Sequence, residues 1–190
     1  MTAGFTEADY ESAATRLGVE VAAIKAVAEV EASGATFWNI DGKSLPPVRL
    51  EAHWFGKLTG YRFNESHPHI SSRKWNVALA ATTWRGAWKQ FEEAAALDYE
   101  AAIQACSWGA FQVMGFHWKA LDYDGPSAFR DAMDTAGGQL DAFARFIYAT
   151  PAAHDALQRQ DWHAFENAYN GGGFNGAYAR KMAAAYERHA

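Results

Sequence analysis

The chain has 190 residues, enough for one domain with a sizeable core, and its 49% apolar and 21% charged residues are ordinary for a folded globular protein. A formal charge of −5 without a dense Lys/Arg run argues against a sequence-independent nucleic-acid binder. The single cysteine, Cys106, excludes an intrachain disulfide, no apolar run approaches membrane-spanning length, and MTAGFTEADYE lacks the features of a secretory signal.

Alanine-rich stretches with helical spacing dominate. Thr6 with Asp9 forms a capping-box pattern, and Gly18 stops the first predicted helix. A second helix is predicted from Glu20 to Ala32, ended by Ser33-Gly34. Phe37 to Leu50 changes character: two short extended runs flank Asp41-Gly42, which predicts a small hairpin. A short helix follows from Glu51 to Leu58, and His67-Pro68-His69 to Lys74 reads as loop. Helices are predicted from Val77 to Ala95, and from Tyr99 into the Ser107–Gly115 region. More are predicted at Ser127 to Ala149, Pro151 to Gln158, Asp161 to Tyr169 and Ala177 to His189. The last of these is locally basic, which a solvated helix face explains. The expected architecture is a mainly α domain spanning residues 1–190, with one small β element near its front.

One carboxylate sits on an unexpected face. On the second helix, Ile24, Val27, Ala28 and Glu31 share a stripe, because seven residues bring Glu31 back to about 20° from Ile24. Glu29, at about 140°, points to solvent. Burial and the negative end of the helix both disfavour the Glu31 anion, which suits a general acid of the kind glycoside cleavage requires. The alternative is a helix-edge glutamate paired with Arg or Lys. The aromatic share, 15% with eight Trp, builds core, although flat rings also cover the apolar faces of sugars.

Three further segments bear on this choice. Val30-Glu-Ala-Ser-Gly34 is followed by Ser107-Trp-Gly-Ala-Phe-Gln-Val-Met-Gly115 and then by Ala168-Tyr-Asn-Gly-Gly-Gly173. In this order they resemble the lysozyme superfamily, most closely the N-acetylmuramidase domain of bacteriophage endolysins. Leu50-Glu51-Ala52-His53 with Phe55 and Leu58-Thr59-Gly60 is similar to that family's Phe-Glu-Ala-His segment, though Pro47-Val-Arg-Leu50 is less apolar than the strand usual there. His67-Pro68-His69-Ile70-Ser71 and Asp161-Trp162 extend the resemblance across about Val21 to Tyr186.

The resemblance implies a lysozyme-like α+β fold, with a small β-hairpin lobe flanking the cleft. It also implies hydrolysis of the β-1,4 bond between N-acetylmuramic acid and N-acetylglucosamine. Glu31 matches the catalytic glutamate. Ser107, Trp108, Gly109 and Gln112 match a motif beside the catalytic helix, and Tyr169 and Asn170 match residues that face the substrate. Gly109 allows close helix approach, and the Gln112 amide can both donate to and accept from an N-acetyl group. Glu51 is the candidate second carboxylate, with a salt bridge to Arg49 or His53 as its alternative reading; Asp41 is the runner-up, though turn chemistry alone explains it.

His53, His67 and His69 lack a matched third ligand, so no metal is expected, and no cofactor. Cys106 reads as a small packed side chain. Gly171-Gly172-Gly173 lacks the Lys and Ser/Thr that a phosphate loop carries. Peptidoglycan glycan strands are the expected partner, with no nucleic acid, no stable membrane insertion and a monomeric state. The expected route is synthesis in the bacterial cytoplasm and release to the wall through a pore or by injection. Two rival functions remain open: a lytic transglycosylase giving 1,6-anhydro products, and a non-catalytic peptidoglycan-binding module.

Overall fold

The computed structural model describes residues 4–32, 35–171 and 175–190. Among these, ten α-helices surround two small antiparallel sheets, the mainly α lysozyme-like architecture expected. The first helix, α1 (Glu7–Leu17), starts at the Thr6–Asp9 capping box and ends at Gly18, as the sequence predicts. The second, α2 (Val21–Glu31), buries Ala22, Ala23, Ile24, Ala26, Val27 and Ala28. Those small side chains let it pack closely between α1 and the last helix, α10 (Ala177–His189). Ser33 and Gly34, the predicted stop, lie outside the described residues.

The Asp41-Gly42 hairpin forms as predicted. Strands β1 (Trp38–Ile40) and β2 (Lys43–Leu45) pair around these two residues, both at positive φ (54° and 78°), as a primed hairpin turn requires. Strand β3 (Val48–Leu50) leaves this hairpin for a second sheet and leads into α3 (Ala52–Leu58).

Three predicted helices are corrected. The first, Val77 to Ala95, is a 3-10 turn at Val77–Leu79 followed by α4 (Trp84–Leu97), because Thr83 caps a new start by accepting the Gly86 N–H. The second ends early: α5 covers Tyr99–Ala105 only, and the Ser107–Gly115 region forms strands β4 (Cys106–Trp108) and β5 (Val113–Met114). The order β3-β4-β5 completes a three-stranded sheet. Gly109 therefore serves a tight turn rather than a helix–helix approach. It has φ +72°, and a Cβ there would sit 3.0 Å from the Gln139 side chain. The third predicted helix splits into α6 (Pro126–Ala132) and α7 (Ala136–Tyr148) where Thr135 caps the second by accepting from Gly138.

Helices α8 (Pro151–Gln158) and α9 (Trp162–Asn170) follow as predicted, with Asp161 capping the latter. The core is continuous: Phe55, Phe129, Phe143, Phe165 and Trp108 are fully buried, each contributing about 1.5–3 kcal/mol of burial.

Candidate active site

Glu31 ends α2 on the stripe of Ile24, Val27 and Ala28, so helix geometry carries its carboxyl toward the protein. It is half-buried. Burial raises its pKa above the ordinary carboxyl value, and the charge of Glu166 adds to this. A hydrogen bond from Asn170 opposes it. That bond runs from Asn170 Nδ2 to Glu31 Oε1 at 3.2 Å. Among the described residues Glu31 has no Lys, Arg or His partner in an ion pair, so the paired-helix-edge alternative is set aside. Glu29 is the exposed one, and pairs with Arg188 and His189 of α10.

Tyr169 precedes Asn170 on α9 and is fixed by three rings: stacked on Phe165 at 5.6 Å, and edge-on to Phe143 at 5.5 Å and Phe146 at 6.0 Å. Burial, and then the charge of Glu31, push its phenol well above the usual range. The phenol therefore stays neutral across the range in which carboxyls titrate. Gly171 ends α9 in the left-handed conformation expected of it; Gly172 and Gly173 lie outside the described residues.

The second group of predicted residues lies on the three-stranded sheet. Arg49 stands opposite Ser107, and Ser107 opposite Met114, so the three side chains form one row. The alternate row, Val48, Trp108 and Val113, is buried. This corrects the expectation for Trp108: at 1% exposure it is a core residue, and its indole N–H donates to the Ile103 carbonyl at 3.0 Å. Gln112 is held at both ends of its amide. Ser107 Oγ donates to its Oε1 at 2.8 Å, and its Nε2 donates to the Gly109 carbonyl at 2.9 Å. That grip holds a non-glycine residue at φ +52° and aims it at the groove.

Glu51 falls two residues beyond Arg49, on the same side of β3. Its carboxylate lies 3.4 Å from Arg49 Nε and 3.7 Å from His53 Nδ1, so both partners of the salt-bridge reading are present. Asp41, the runner-up, is held at the hairpin tip by two 2.5 Å bonds from Arg85. His67 meets Ser66, and His69 meets Glu93; no cluster of three or more metal-ligating side chains occurs among the described residues. Cys106 is buried in β4, its thiol pushed well up by burial and by the Glu51 charge.

Adjoining cavities are lined by several of these side chains. One cavity of about 460 Å³ is lined by Trp38, Arg49, Trp84, Gln90 and Gln112. Gln112 also lines a recess of about 210 Å³ with Met114, His117, Phe146 and Tyr169. On the other side, the first cavity shares Thr82, Thr83 and Trp84 with a third of about 410 Å³ beside Asn39 and Arg85. Trp84 lies flat on Trp38, with centroids 5.4 Å apart and planes 6° from parallel, and remains 56% exposed.

The structure thus brings Glu31, Tyr169 and Asn170 together, and separately joins Ser107 to Gln112. Sequence reasoning missed three residues of this arrangement. Trp38 and Trp84 lie far apart in the chain and give no local signal. Glu166 did leave one, since it precedes Asn170 by four residues and so shares its helix face.

Comparison with known proteins identifies the family and the fold. The sequence matches the N-acetylmuramidase (Muramidase) family over residues 20–190. The fold matches the crystal structure of Burkholderia AP3 phage endolysin with a TM-score of 0.85 and 35% identity, covering 97% of this chain and 70% of that one. No curated protein matches the sequence. With a family match over most of its length and an endolysin fold around a half-buried glutamate, the chain belongs to the N-acetylmuramidase family and is a peptidoglycan hydrolase of the glycosidase type.

Proposed function

We propose that the chain, as one catalytic domain over residues 1–190, hydrolyses the β-1,4 bond between N-acetylmuramic acid and N-acetylglucosamine, with Glu31 as general acid. The observation that carries this is the environment of Glu31: a half-buried carboxyl with a raised pKa and an amide partner, and no ion-pair partner among the described residues. Such a carboxyl keeps its proton at higher pH than its neighbours and can deliver it to the departing glycosidic oxygen. The fixed Gln112 amide suits an N-acetyl group at the groove wall, with Ser107 as its anchor. Tyr169, which lines the recess with Gln112, and Asn170, which donates to Glu31, face the substrate near the acid.

Glu51 is the second group, either base for a water or nucleophile. It lies on the Arg49 side of β3, and Arg49 lines the groove. Arg49 and His53 lie beside it, 3.4 Å and 3.7 Å from its carboxylate. Its partners are glycan strands, it engages neither nucleic acid nor membrane stably, and it acts as a monomer. Among the described residues no helix is long and apolar enough to cross a membrane. The likeness to an endolysin supports a phage lysis role: cytoplasmic synthesis, then passage through a pore or injection.

The test is digestion of purified peptidoglycan by the wild type, Glu31→Gln and Glu51→Gln, with mass spectrometry of the sugars. Expected are products ending in reducing N-acetylmuramic acid, reduced about 10²–10⁴-fold in rate by Glu31→Gln. Anhydro products, lighter by one water, would instead make the chain a lytic transglycosylase. Wall binding without any soluble product would make it a binding module. Undiminished activity in Glu31→Gln would remove Glu31 from the reaction.

A further inference from the structure

Glu166 is a buried carboxylate that the proposed reaction does not use. It is 2% exposed, yet no cationic side chain forms a salt bridge with it among the described residues. Instead its Oε1 accepts the Gly176 N–H at 3.0 Å and its Oε2 accepts the Ala179 N–H at 2.7 Å, with the Tyr178 N–H adding to them. These are the unpaired donors that open α10, where a helix carries partial positive charge. The seat is tight: Gly176 has φ +71°, and a Cβ there would meet the His163 ring at 2.4 Å. Along α9, Glu166 and Asn170 are four residues apart on one face, and Asn170 holds Glu31.

We propose that Glu166 is a positioning residue for Glu31: seated on the start of α10, its carboxylate fixes the end of α9 that carries Tyr169 and Asn170, and keeps a standing negative charge behind the acid. This rests on Glu31 being the acid. The two carboxyls are pushed apart. The bond from Ala179, ahead of the other backbone donors, draws the Glu166 pKa down, whereas burial and the Glu166 charge draw the Glu31 pKa up. Glu166 therefore ionises before Glu31 as pH rises.

The other charged groups nearby are engaged elsewhere. On α2, Lys25 pairs with Glu7 of α1, and Glu29 with Arg188 and His189 of α10. Glu20 bonds the Tyr186 hydroxyl of α10, and Arg180 of α10 donates to the Asn175 carbonyl. His163 of α9 faces Glu166 and favours its anion, and Tyr169 faces Glu31 with a neutral phenol.

The experiment is the pH profile of kcat/KM for the wild type, Glu166→Gln and Glu166→Asp, beside a carbon-13 titration of the glutamate carboxyls in the wild type, with Glu31 assigned from Glu31→Gln. Activity falls at alkaline pH as Glu31 loses its proton, so removing the neighbouring charge moves that alkaline limb to lower pH. Glu166→Asp, which keeps the charge, returns the limb toward the wild-type position even if its shorter reach lowers kcat. A limb unmoved in Glu166→Gln, with only thermal stability reduced, would make Glu166 a helix cap and nothing more. Should Glu166→Gln fail to fold, the titration still decides: Glu166 ionising above Glu31 overturns the proposal. A failed acid assignment shows itself separately, as undiminished activity in Glu31→Gln, and leaves the order of titration to be read.

Discussion

At the scale of single residues, the site works by setting protons against their surroundings. Asn170 donates to the ionised form of Glu31 and so lowers its pKa, in opposition to burial. Asn170→Ala removes that pull, so the alkaline limb of activity moves to higher pH while kcat falls from lost orientation, the opposite sign to Glu166→Gln. A pH–rate profile reads both, and equal displacement in one direction would refute this assignment of causes. Stability follows the same logic with its own sign. The folded Glu31 holds its proton more tightly than the unfolded chain does, so the linkage favours the fold at low pH. That advantage is lost as pH rises from the ordinary carboxyl value, about 4.3, through the raised folded one. Glu31→Gln is therefore expected to raise Tm at neutral pH while cutting activity, and the gain shrinks toward zero near about pH 3. Calorimetry at the two pH values checks it; a gain independent of pH would show that ionisation of Glu31 is not its source.

At the scale of elements, the sheet β3-β4-β5 depends on one buried side chain. Gln139 of α7, 1% exposed, accepts the Ala110 N–H at 2.9 Å and donates to the carbonyls of Thr36 and Met133, each at 2.9 Å. It thereby ties the turn after β4 to the segment leading into the hairpin. Gln139→Leu removes three buried hydrogen bonds and takes their partner from the Thr36 and Met133 carbonyls, at about 1–3 kcal/mol each, so a loss of roughly 3 kcal/mol is expected in denaturant unfolding. A loss under about 1 kcal/mol would mean that other partners take up those groups. This element was also where the sequence misled. Residues 106–115 have no alternation long enough to announce strands, and the helical spacing of Tyr99–Ala105 runs straight into them. What ends that helix is tertiary: the Gly109 N–H donates to the Pro47 carbonyl, and Trp108 donates back to Ile103. Where a local device punctuates the chain, the reading succeeded, as at Thr6–Asp9, Asp41-Gly42 and Asp161. Thr83 and Thr135 are local devices too, but alanine-rich periodicity on both sides masked them. Of the site, Glu31 was legible because its seven-residue offset from Ile24 is a property of one helix. Trp108 was not, because the strand that turns it inward was itself unseen.

At the scale of the molecule, the hairpin and α4 form a second wall that no single motif announced. Trp38 from β1 and Trp84 from the first turn of α4 stack face to face, and Arg85 clamps Asp41 beside them. One face of Trp84 is spent on this stack, and its 56% exposure leaves much of the ring open. Around it stand Asn39, Thr82 and Thr83, groups able to bond sugar hydroxyls. Since Gln112 lines both the cavity beside Trp84 and the recess beside Tyr169, a glycan that reaches from that recess to the tryptophan pair must be several sugars long. Trp84→Ala is therefore expected to raise KM for long glycan strands while leaving kcat/KM for the shortest cleavable oligosaccharide near wild type. Losing one stacking face is worth about 1 kcal/mol, so the rise should be roughly five-fold. The fold should persist, because Trp84 is 56% exposed and lies outside the buried core. Kinetics on glycans of graded length separate the outcomes. An equal loss at every length would bring Trp84 into the immediate surroundings of the scissile bond, and no loss at any length would mean the strand leaves the groove before reaching it.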